Sequence, residues 1–281
     1  MGAAVCYGTN PLGALNLYAE GMNTPSVLFW RFGMAWVIIA CVCAFKATTG
    51  RESLRAGRRQ LLTLLSLGLL FILSSATLYA SFHHMPAGVA STILFTYPVM
   101  TAAIMALFFR EKLRWSTVGS IALSLAGVLM LYWGDADGAL SAVGVALVLV
   151  SALTYALYIV LVDKSPLPMS PFKINFYVLF CCALGMVAFA LLFGQPLMMP
   201  PTPRAWLWVS WLAVVPAIMA LVMMVYAAKY LGGTPTAILG ALEPTTAVVI
   251  GVFVFGEPFT PRLLVGIVLI LVAVTLVVAR K

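Results

Sequence analysis

Charged residues are scarce in this chain. They make up 9% of its 281 residues, and only eight of them are acidic, whereas soluble domains carry about 25% charged residues. Hydrophobic residues account for 63%, and the mean hydropathy is +1.09. A chain with so little charge does not have the surface of a soluble domain, so its composition predicts a protein that is mostly embedded in a lipid bilayer.

The motifs of common enzymes are also missing. The sequence has no P-loop, no G-x-S-x-G elbow, no dinucleotide-binding glycine pattern and no H-E-x-x-H zinc helix. Its cysteines lack the spacing of a zinc site and are expected to pack as small apolar residues. They are Cys6, Cys41, Cys43, Cys181 and Cys182. These absences argue against an ATP-driven pump and against hydrolase chemistry. We expect no enzyme activity, no cofactor and no bound metal.

Apolar segments of about 20 residues, the length needed to cross a hydrocarbon core of about 30 Å, follow one another along the chain. Charged or Pro/Gly-rich breaks separate them. The ten segments cover residues 1–19, 25–45, 61–82, 88–109, 116–133, 140–162, 171–193, 205–228, 234–255 and 262–279. Continuous runs of this length exclude the alternating pattern of a membrane β-barrel. The predicted fold class is an all-α membrane protein with ten transmembrane helices, or nine if the first segment does not span.

The net charge of +8 has a simple explanation in the connections between the segments. If both termini are cytoplasmic, the outer connections hold only Arg204 and Arg262, and all other basic connection residues lie inside. The inner set is Lys46, Arg51, Arg55, Arg58, Arg59, Arg110, Lys112, Arg114, Lys164, Lys173, Lys229, Arg280 and Lys281. This is the positive-inside asymmetry of membrane proteins. We therefore expect the lipid bilayer as a partner and no nucleic acid.

The second half of the chain repeats the first. The segments that begin at His83 and at Lys229 align without a gap, and most matches are apolar residues that any two spans share by chance. The polar and proline matches carry more weight: Pro98 aligns with Pro244, and Glu111 aligns with Glu257. The alignment therefore indicates an internal duplication.

The duplication predicts two repeats, residues 1–138 and 139–281. Each repeat holds five spans, an odd number, so the second repeat must enter the bilayer in the opposite orientation. Inverted repeats of this kind are typical of secondary transporters, whose solute site lies near the membrane midplane between the halves. Transport is accordingly favoured over a receptor or a structural role.

The sequence resembles a known family at the paired segments YPVMTAAIMALFFREKLRWSTVGSIALSLAGVLML and EPTTAVVIGVFVFGEPFTPRLLVGIVLILVAVTL. Together with Arg31 in LFWRFGMAW, they resemble the EamA-type transporters of the drug/metabolite transporter superfamily. The resemblance implies a ten-helix exporter of small metabolites, often amino acids or related compounds, with a central cavity. Two departures stand out. YGTN replaces the usual Trp-Gly of the first span, and Arg110-Glu111 replaces the usual Gly-Glu.

Glu243 is the most informative single residue. It lies near the middle of its segment, where an ionised group costs about 2.5–3.5 kcal/mol on insertion scales. Pro244 follows it and removes a backbone donor, as Pro11 and Pro98 do in two first-half spans. We interpret the three prolines as helix breaks that open backbone towards a cavity. Glu243 is expected to bind an amine-bearing substrate or a coupling proton. The alternative is a carboxylate that only joins helices through a hydrogen bond.

Other polar residues within the spans complete the predicted binding site. Arg31 is either a clamp for a substrate carboxylate or an anchor for nearby carbonyls or for Glu20. Buried tyrosines need a partner for the hydroxyl, so a polar cavity wall explains them. The remaining members of the predicted site are Tyr7, Asn10, Tyr79, Tyr97, Tyr155 and Tyr158. Tyr18 and most tryptophans are assigned to the membrane interface instead.

The predicted function is a secondary transporter of the bacterial inner membrane. It exports a small amphipathic solute, with possible proton coupling, by rocking one five-helix half against the other. An uncoupled facilitator of the same solutes is the first alternative. A membrane-embedded lipid-modifying enzyme is the second, although it would need two ionisable groups at one depth, and Asp163 and Glu243 differ in depth. No oligomeric state is assigned.

Overall fold

The structure, a computed structural model, describes residues 2–48, 55–109, 115, 118–119, 122–123, 126–127, 141–165, 167, 169–231 and 242–278. All regular secondary structure in these residues is helical. The helices are α1 (Gly2–Gly8), α2 (Asn10–Ala19), α3 (Thr24–Thr48), α4 (Arg58–Ser81), α5 (Ala87–Leu94), α6 (Tyr97–Phe109), α7 (Ala142–Lys164), α8 (Pro171–Leu192), α9 (Pro203–Leu212), α10 (Ala220–Leu231), α11 (Leu242–Phe255) and α12 (Pro261–Val278). A π-helical segment, Ala213–Met219, joins α9 to α10.

Six helical stretches are long and apolar enough to cross a membrane. They are Thr24–Thr48, Arg58–Ser81, Ala87–Phe109, Ala142–Lys164, Pro171–Leu192 and Pro203–Tyr230. Two shorter apolar helices, Glu243–Phe255 and Pro261–Ala273, accompany them. The structure therefore confirms an all-α membrane fold. The count of ten spans stays a prediction, because much of the segment 116–133 and the start of 234–255 lie outside the described residues.

Helices from the first half of the sequence pack against helices from the second half. α4 packs along α7 and α8, and α3 packs along α8, whereas α3 and α4 touch each other much less. Small residues allow this close approach, as is usual between membrane helices. A Cβ on Gly68 would overlap the Cβ of Cys181, and Ser74 and Ser151 exchange hydrogen bonds from each hydroxyl to the other backbone carbonyl, at 3.1 and 2.7 Å. The main packing of each half is thus against the other half.

Four connections lie together at one end of the bundle: residues 20–23, 82–86, 193–202 and 256–260. The Thr202 hydroxyl donates to Glu20 at 2.8 Å, and the Asn23 amide donates to the Pro196 carbonyl at 2.9 Å. The ring of His83 lies over that of Tyr18 with centroids 4.3 Å apart. We call this end the Glu257 face, after the residue that joins its fourth connection to α5.

Lysine side chains bind backbone carbonyls at the opposite end of the bundle. Lys173 Nζ donates to the Arg55 carbonyl at 2.7 Å, and Lys229 Nζ donates to the Met169 carbonyl at 2.7 Å. The ammonium of Lys46 lies 4.0 Å from the centroid of the Phe172 ring, a favourable cation–π geometry. This end, the lysine face, carries most of the basic side chains in the described part of the chain.

Candidate functional site

Prolines mark interruptions in three apolar stretches of the described chain. α1 ends at Gly8 and α2 begins at Asn10, with Pro11 in its first turn. α5 ends at Leu94 and α6 begins at Tyr97, with Pro98 as its second residue. The third stretch widens into the π-helical segment around Pro216. Each interruption leaves backbone groups free of the regular helical pattern, so polar contacts concentrate there.

Glu243 lies in the first turn of α11, next to Pro244. Its side chain is 6% exposed, and it is the only buried acidic residue in the described ranges. No hydrogen bond or ion pair joins its carboxylate to another described residue. Gly8 allows α1 to approach this turn, because a Cβ there would lie 2.7 Å from the Glu243 carbonyl oxygen. The carboxylate is therefore held at a crossing of α1 and α11.

Tyrosine side chains lie near the carboxylate. Tyr7, Tyr97 and Tyr155 are all close enough to Glu243 to interact with it electrostatically. The Tyr155 ring contacts the Tyr97 ring edge-on at a centroid distance of 4.8 Å and the Tyr7 ring at 6.2 Å. Tyr158 stacks parallel to Tyr155 at 6.1 Å. We call these four tyrosines and Glu243 the tyrosine cluster.

Several hydroxyls of this region lack partners. The hydroxyls of Tyr7, Tyr158 and Thr96 are buried and make no hydrogen bond within the described part of the chain. An unsatisfied buried polar group costs about 1–3 kcal/mol, and such groups in a native protein require an explanation. The Tyr7 hydroxyl and the Glu243 carboxylate interact electrostatically, and neither has a hydrogen-bond partner among the described residues, so they form a site that a polar ligand can complete.

Arg31 lies at the centre of a second polar group. It is 2% exposed, and its Nη1 donates to the Tyr79 hydroxyl at 2.8 Å. That hydroxyl donates in turn to Asn10 Oδ1 at 3.1 Å. Nη2 donates to the Pro216 carbonyl at 3.5 Å. We call Asn10, Arg31, Tyr79 and the Pro216 carbonyl the arginine network. The π-helical segment therefore provides an acceptor for a buried guanidinium from α3.

The structure corrects one expectation about these residues. Glu20 is not the partner of Arg31, because it accepts a hydrogen bond from Thr202 on the Glu257 face. Tyr18, which the sequence assigned to the membrane interface, lies near that face. Its hydroxyl donates to the backbone carbonyl of Tyr79 at 3.0 Å and shares a hydrogen bond with Thr24 at 3.0 Å.

The predicted site residues thus fall into two neighbouring groups. Tyr7, Tyr97, Tyr155, Tyr158 and Glu243 form the tyrosine cluster, and Asn10, Arg31 and Tyr79 form the arginine network. Tyr7 connects the groups electrostatically, since both Arg31 and Glu243 act on it. The sequence interpretation missed Pro216, although a proline inside an apolar run is a recognised signal of an interrupted helix. It also missed Phe71, whose ring lies 5.3 Å from that of Tyr158.

Within the described ranges, no three His, Cys, Asp or Glu side chains converge to form a metal site. The described cysteines are free thiols, of which Cys43 and Cys182 are buried and Cys41 is exposed.

Comparisons with known proteins point to one family. The family model of the EamA-like transporters matches residues 1–133 and again residues 142–279. An uncharacterized transporter of Archaeoglobus fulgidus is 27% identical over 274 residues, which are 97% of this chain and 94% of the relative. The uncharacterized inner membrane transporter YedA of Escherichia coli is 28% identical over 222 residues, 78% of this chain and 70% of the relative.

A solved structure shares the fold. One crystal structure superimposes with a TM-score of 0.71 over 98% of this chain and 93% of that chain, at 18% sequence identity. Since the identity is low, this likeness concerns the fold alone. The family match covers nearly the whole chain in two copies, and it agrees with the apolar helices of the structure. The chain therefore belongs to the EamA-like transporter family and is an integral membrane transporter.

Proposed function

We propose that this transporter exports a small amphipathic metabolite that carries a protonated amine, such as an amino acid or a related compound, across a bacterial inner membrane. The positive-inside rule assigns the lysine face to the cytoplasm and the Glu257 face to the outside. The separation of Lys46, Lys173 and Lys229 from the Glu257 face supports this orientation. Both termini are then cytoplasmic.

The observation that carries the proposal is the buried Glu243 carboxylate, which has no hydrogen bond or ion pair to another described residue and interacts electrostatically with Tyr7, Tyr97 and Tyr155. A buried ion without a counter-ion is costly, and a bound ammonium group would remove that cost. The tyrosine faces add cation–π attraction, which strengthens when the cation is desolvated. The hydroxyls of Tyr7 and Tyr158, which have no hydrogen-bond partner in the described part of the chain, can hydrogen-bond the rest of the solute. An amine with an apolar or aromatic body fits this chemistry best.

The arginine network offers a second point of attachment. Arg31 makes hydrogen bonds only to a hydroxyl and a carbonyl among the described residues, and its Nε has no partner there. A guanidinium is suited to a carboxylate because its donors form a planar fork. Arg31 would therefore hold a negative or polar end of the solute, with Asn10 and Tyr79 fixing its orientation.

Transport would proceed by alternating access between two inverted halves, around the interrupted helices that meet near the midplane. Glu243 would bind the solute amine and a proton in turn, which couples export to the proton gradient. An uncoupled facilitator would use the same site without this exchange. The two mechanisms differ in whether a gradient drives accumulation.

Solute flux in proteoliposomes tests the proposal. A panel of amines, amino acids and uncharged analogues is measured with and without a proton gradient, at two pH values, in wild type and Glu243→Gln. We expect amine-selective, gradient-driven flux that Glu243→Gln abolishes, while the matched control Glu20→Gln retains it. Equal flux of neutral analogues, or full flux in Glu243→Gln, would disprove the assigned role of the carboxylate. An accumulation ratio of one under a gradient would leave only the facilitator.

A further inference from the structure

Glu257 joins the two halves of the chain at the Glu257 face. It lies in the connection after α11, and its carboxylate reaches the first turn of α5. Oε1 accepts from the Ala87 amide at 2.7 Å, and Oε2 accepts from the Gly88 amide at 3.0 Å. Pro86 precedes this turn and offers no side-chain cap. A carboxylate from the other half of the chain therefore binds the free amides of α5, where the helix dipole favours negative charge.

Two glycines make room for this carboxylate. A Cβ on Gly88 would lie 2.8 Å from Glu257 Oε2, and a Cβ on Gly251 would overlap the same oxygen. The Glu257 amide also donates to the Gly251 carbonyl at 2.9 Å, and Gly256 adopts a positive φ of 66° that turns the chain back. The turn, the glycines and the carboxylate therefore form a preorganised contact.

The two helices that Glu257 joins run between the tyrosine cluster and the Glu257 face. α11 runs from Glu243 to Phe255, about 18 Å at 1.5 Å per residue. α5 runs alongside it in the opposite direction and ends just before Tyr97. The helices touch closely, since a Cβ on Gly88 would lie 3.4 Å from the Val248 Cα. One end of each helix thus reaches the tyrosine cluster, and the other end reaches Glu257.

Glu257 links two helices that separate when the exit opens. In the alternating access of the proposed function, a path from the tyrosine cluster to the Glu257 face opens where α5 and α11 separate. Separation breaks the two hydrogen bonds that Glu257 makes to α5. The regular helix is interrupted at Phe95–Thr96, between α5 and α6.

We infer that the Glu257 carboxylate is a latch that holds the Glu257-face exit shut and releases α5 each time the exit opens. The inference rests on the alternating access of the proposed function. It assigns Glu257 a gating role that is separate from solute binding, because the residue lies outside both the tyrosine cluster and the arginine network.

The test measures how often the exit opens. Thr96, which is buried at the end of α5, is replaced by cysteine in a chain whose five native cysteines are replaced by alanine. A membrane-impermeant thiol reagent is applied to right-side-out and to inverted membrane vesicles. We expect Glu257→Gln to accelerate labelling about tenfold, since it weakens charge-assisted hydrogen bonds. The acceleration should occur in one vesicle orientation only.

One further variant disturbs the Glu257 contact in a different way, and another is a control. Gly251→Ala places a methyl group where the carboxylate lies and should accelerate labelling in the same orientation. Glu20→Gln is the matched control, because Glu20 lies on the same face but binds Thr202, and its labelling rate should equal that of the reference chain. Thermal unfolding in detergent checks that every variant is folded.

A static helix cap predicts a different outcome. Unchanged labelling in Glu257→Gln, equal acceleration in both orientations, or a loss of thermal stability without faster labelling would each overturn the latch. Because labelling needs no solute, the latch and the proposed function can fail separately. A chain that moves none of the tested solutes but labels faster in Glu257→Gln would disprove the solute assignment and retain the latch.

Discussion

Two proline-containing spans, one in each half of the chain, differ in the residue that precedes the proline. In the first half, Tyr97 precedes Pro98 at the start of α6. In the second half, Glu243 precedes Pro244 at the start of α11. The residues are aligned in the repeat and are both buried, at 2% and 6% exposure. The repeat thus supplies the same proline twice but the carboxylate once, which makes the candidate site chemically asymmetric.

The third span of each half shows a similar difference. α4 is a continuous helix of 24 residues that carries Tyr79. The corresponding stretch of the second half, α9 to α10, contains the π-helical segment with Pro216. Tyr79 contributes a hydroxyl to the arginine network, and Pro216 contributes a backbone carbonyl. Spans that correspond in the predicted repeat therefore supply different groups to one network, so a repeat in the sequence does not predict symmetry of the chemistry.

The largest expected effect tests the asymmetry between Tyr97 and Glu243. Glu243→Gln should weaken binding of an amine-bearing solute about 10- to 100-fold, because it removes a charge-assisted hydrogen bond. Tyr97→Phe should weaken binding only about two- to threefold, because it removes a neutral hydroxyl and keeps the ring that contacts Tyr155. Equilibrium binding to the purified protein in detergent measures both.

The matched probe for this pair is an uncharged analogue of the solute. Its affinity should be nearly equal in wild type and Glu243→Gln, since it has no ammonium group for the carboxylate to bind. Similar losses for Tyr97→Phe and Glu243→Gln would show that the two halves contribute equally and that the asymmetry has no functional meaning.

A smaller effect is expected in the arginine network. Tyr79→Phe removes the hydroxyl that joins Arg31 to Asn10. The Pro216 carbonyl is then the remaining hydrogen-bond acceptor for the Arg31 guanidinium in this network. We expect a loss of about 1–2 kcal/mol in the free energy of unfolding. Denaturant titration in micelles measures the loss.

Tyr158→Phe is the control for Tyr79→Phe. The Tyr158 hydroxyl is buried without a hydrogen-bond partner among the described residues. Its removal should therefore leave the free energy of unfolding unchanged or slightly higher. A Tyr79→Phe protein as stable as Tyr158→Phe would show that the network does not stabilise the fold.

The helical fold could be predicted from the sequence because bilayer physics leaves few choices. Apolar runs such as 25–45 and 171–193 must form helices, and α3 and α8 do so. Glu243 could be identified as well, since a carboxylate in an apolar run is conspicuous. The grouping of the tyrosines near Glu243 could not be derived. The apolar faces of the membrane helices resemble one another, so the sequence does not show which helix packs against which.

Contacts between the halves were the least predictable feature. The Glu257 carboxylate lies in a turn between two helices, and it binds backbone amides. Those amides, however, belong to α5 in the other half of the chain. Local sequence could indicate that the carboxylate seeks amide donors, but only the packing of α5 against α11 determines which amides it reaches.

The smallest effect concerns the interlocked packing of the halves. Gly68→Ala adds a Cβ that overlaps the Cβ of Cys181. This neighbour cannot rotate away, so α4 and α8 must move apart, and we expect a destabilisation of about 1–2 kcal/mol.

Gly33→Ala is the matched control, because a Cβ there meets nothing within 4 Å. It should stabilise α3 by up to about 1 kcal/mol through helix propensity. Denaturant titration of both variants measures the difference. If they are equally stable, the close approach of α4 and α8 at Gly68 does not constrain the fold.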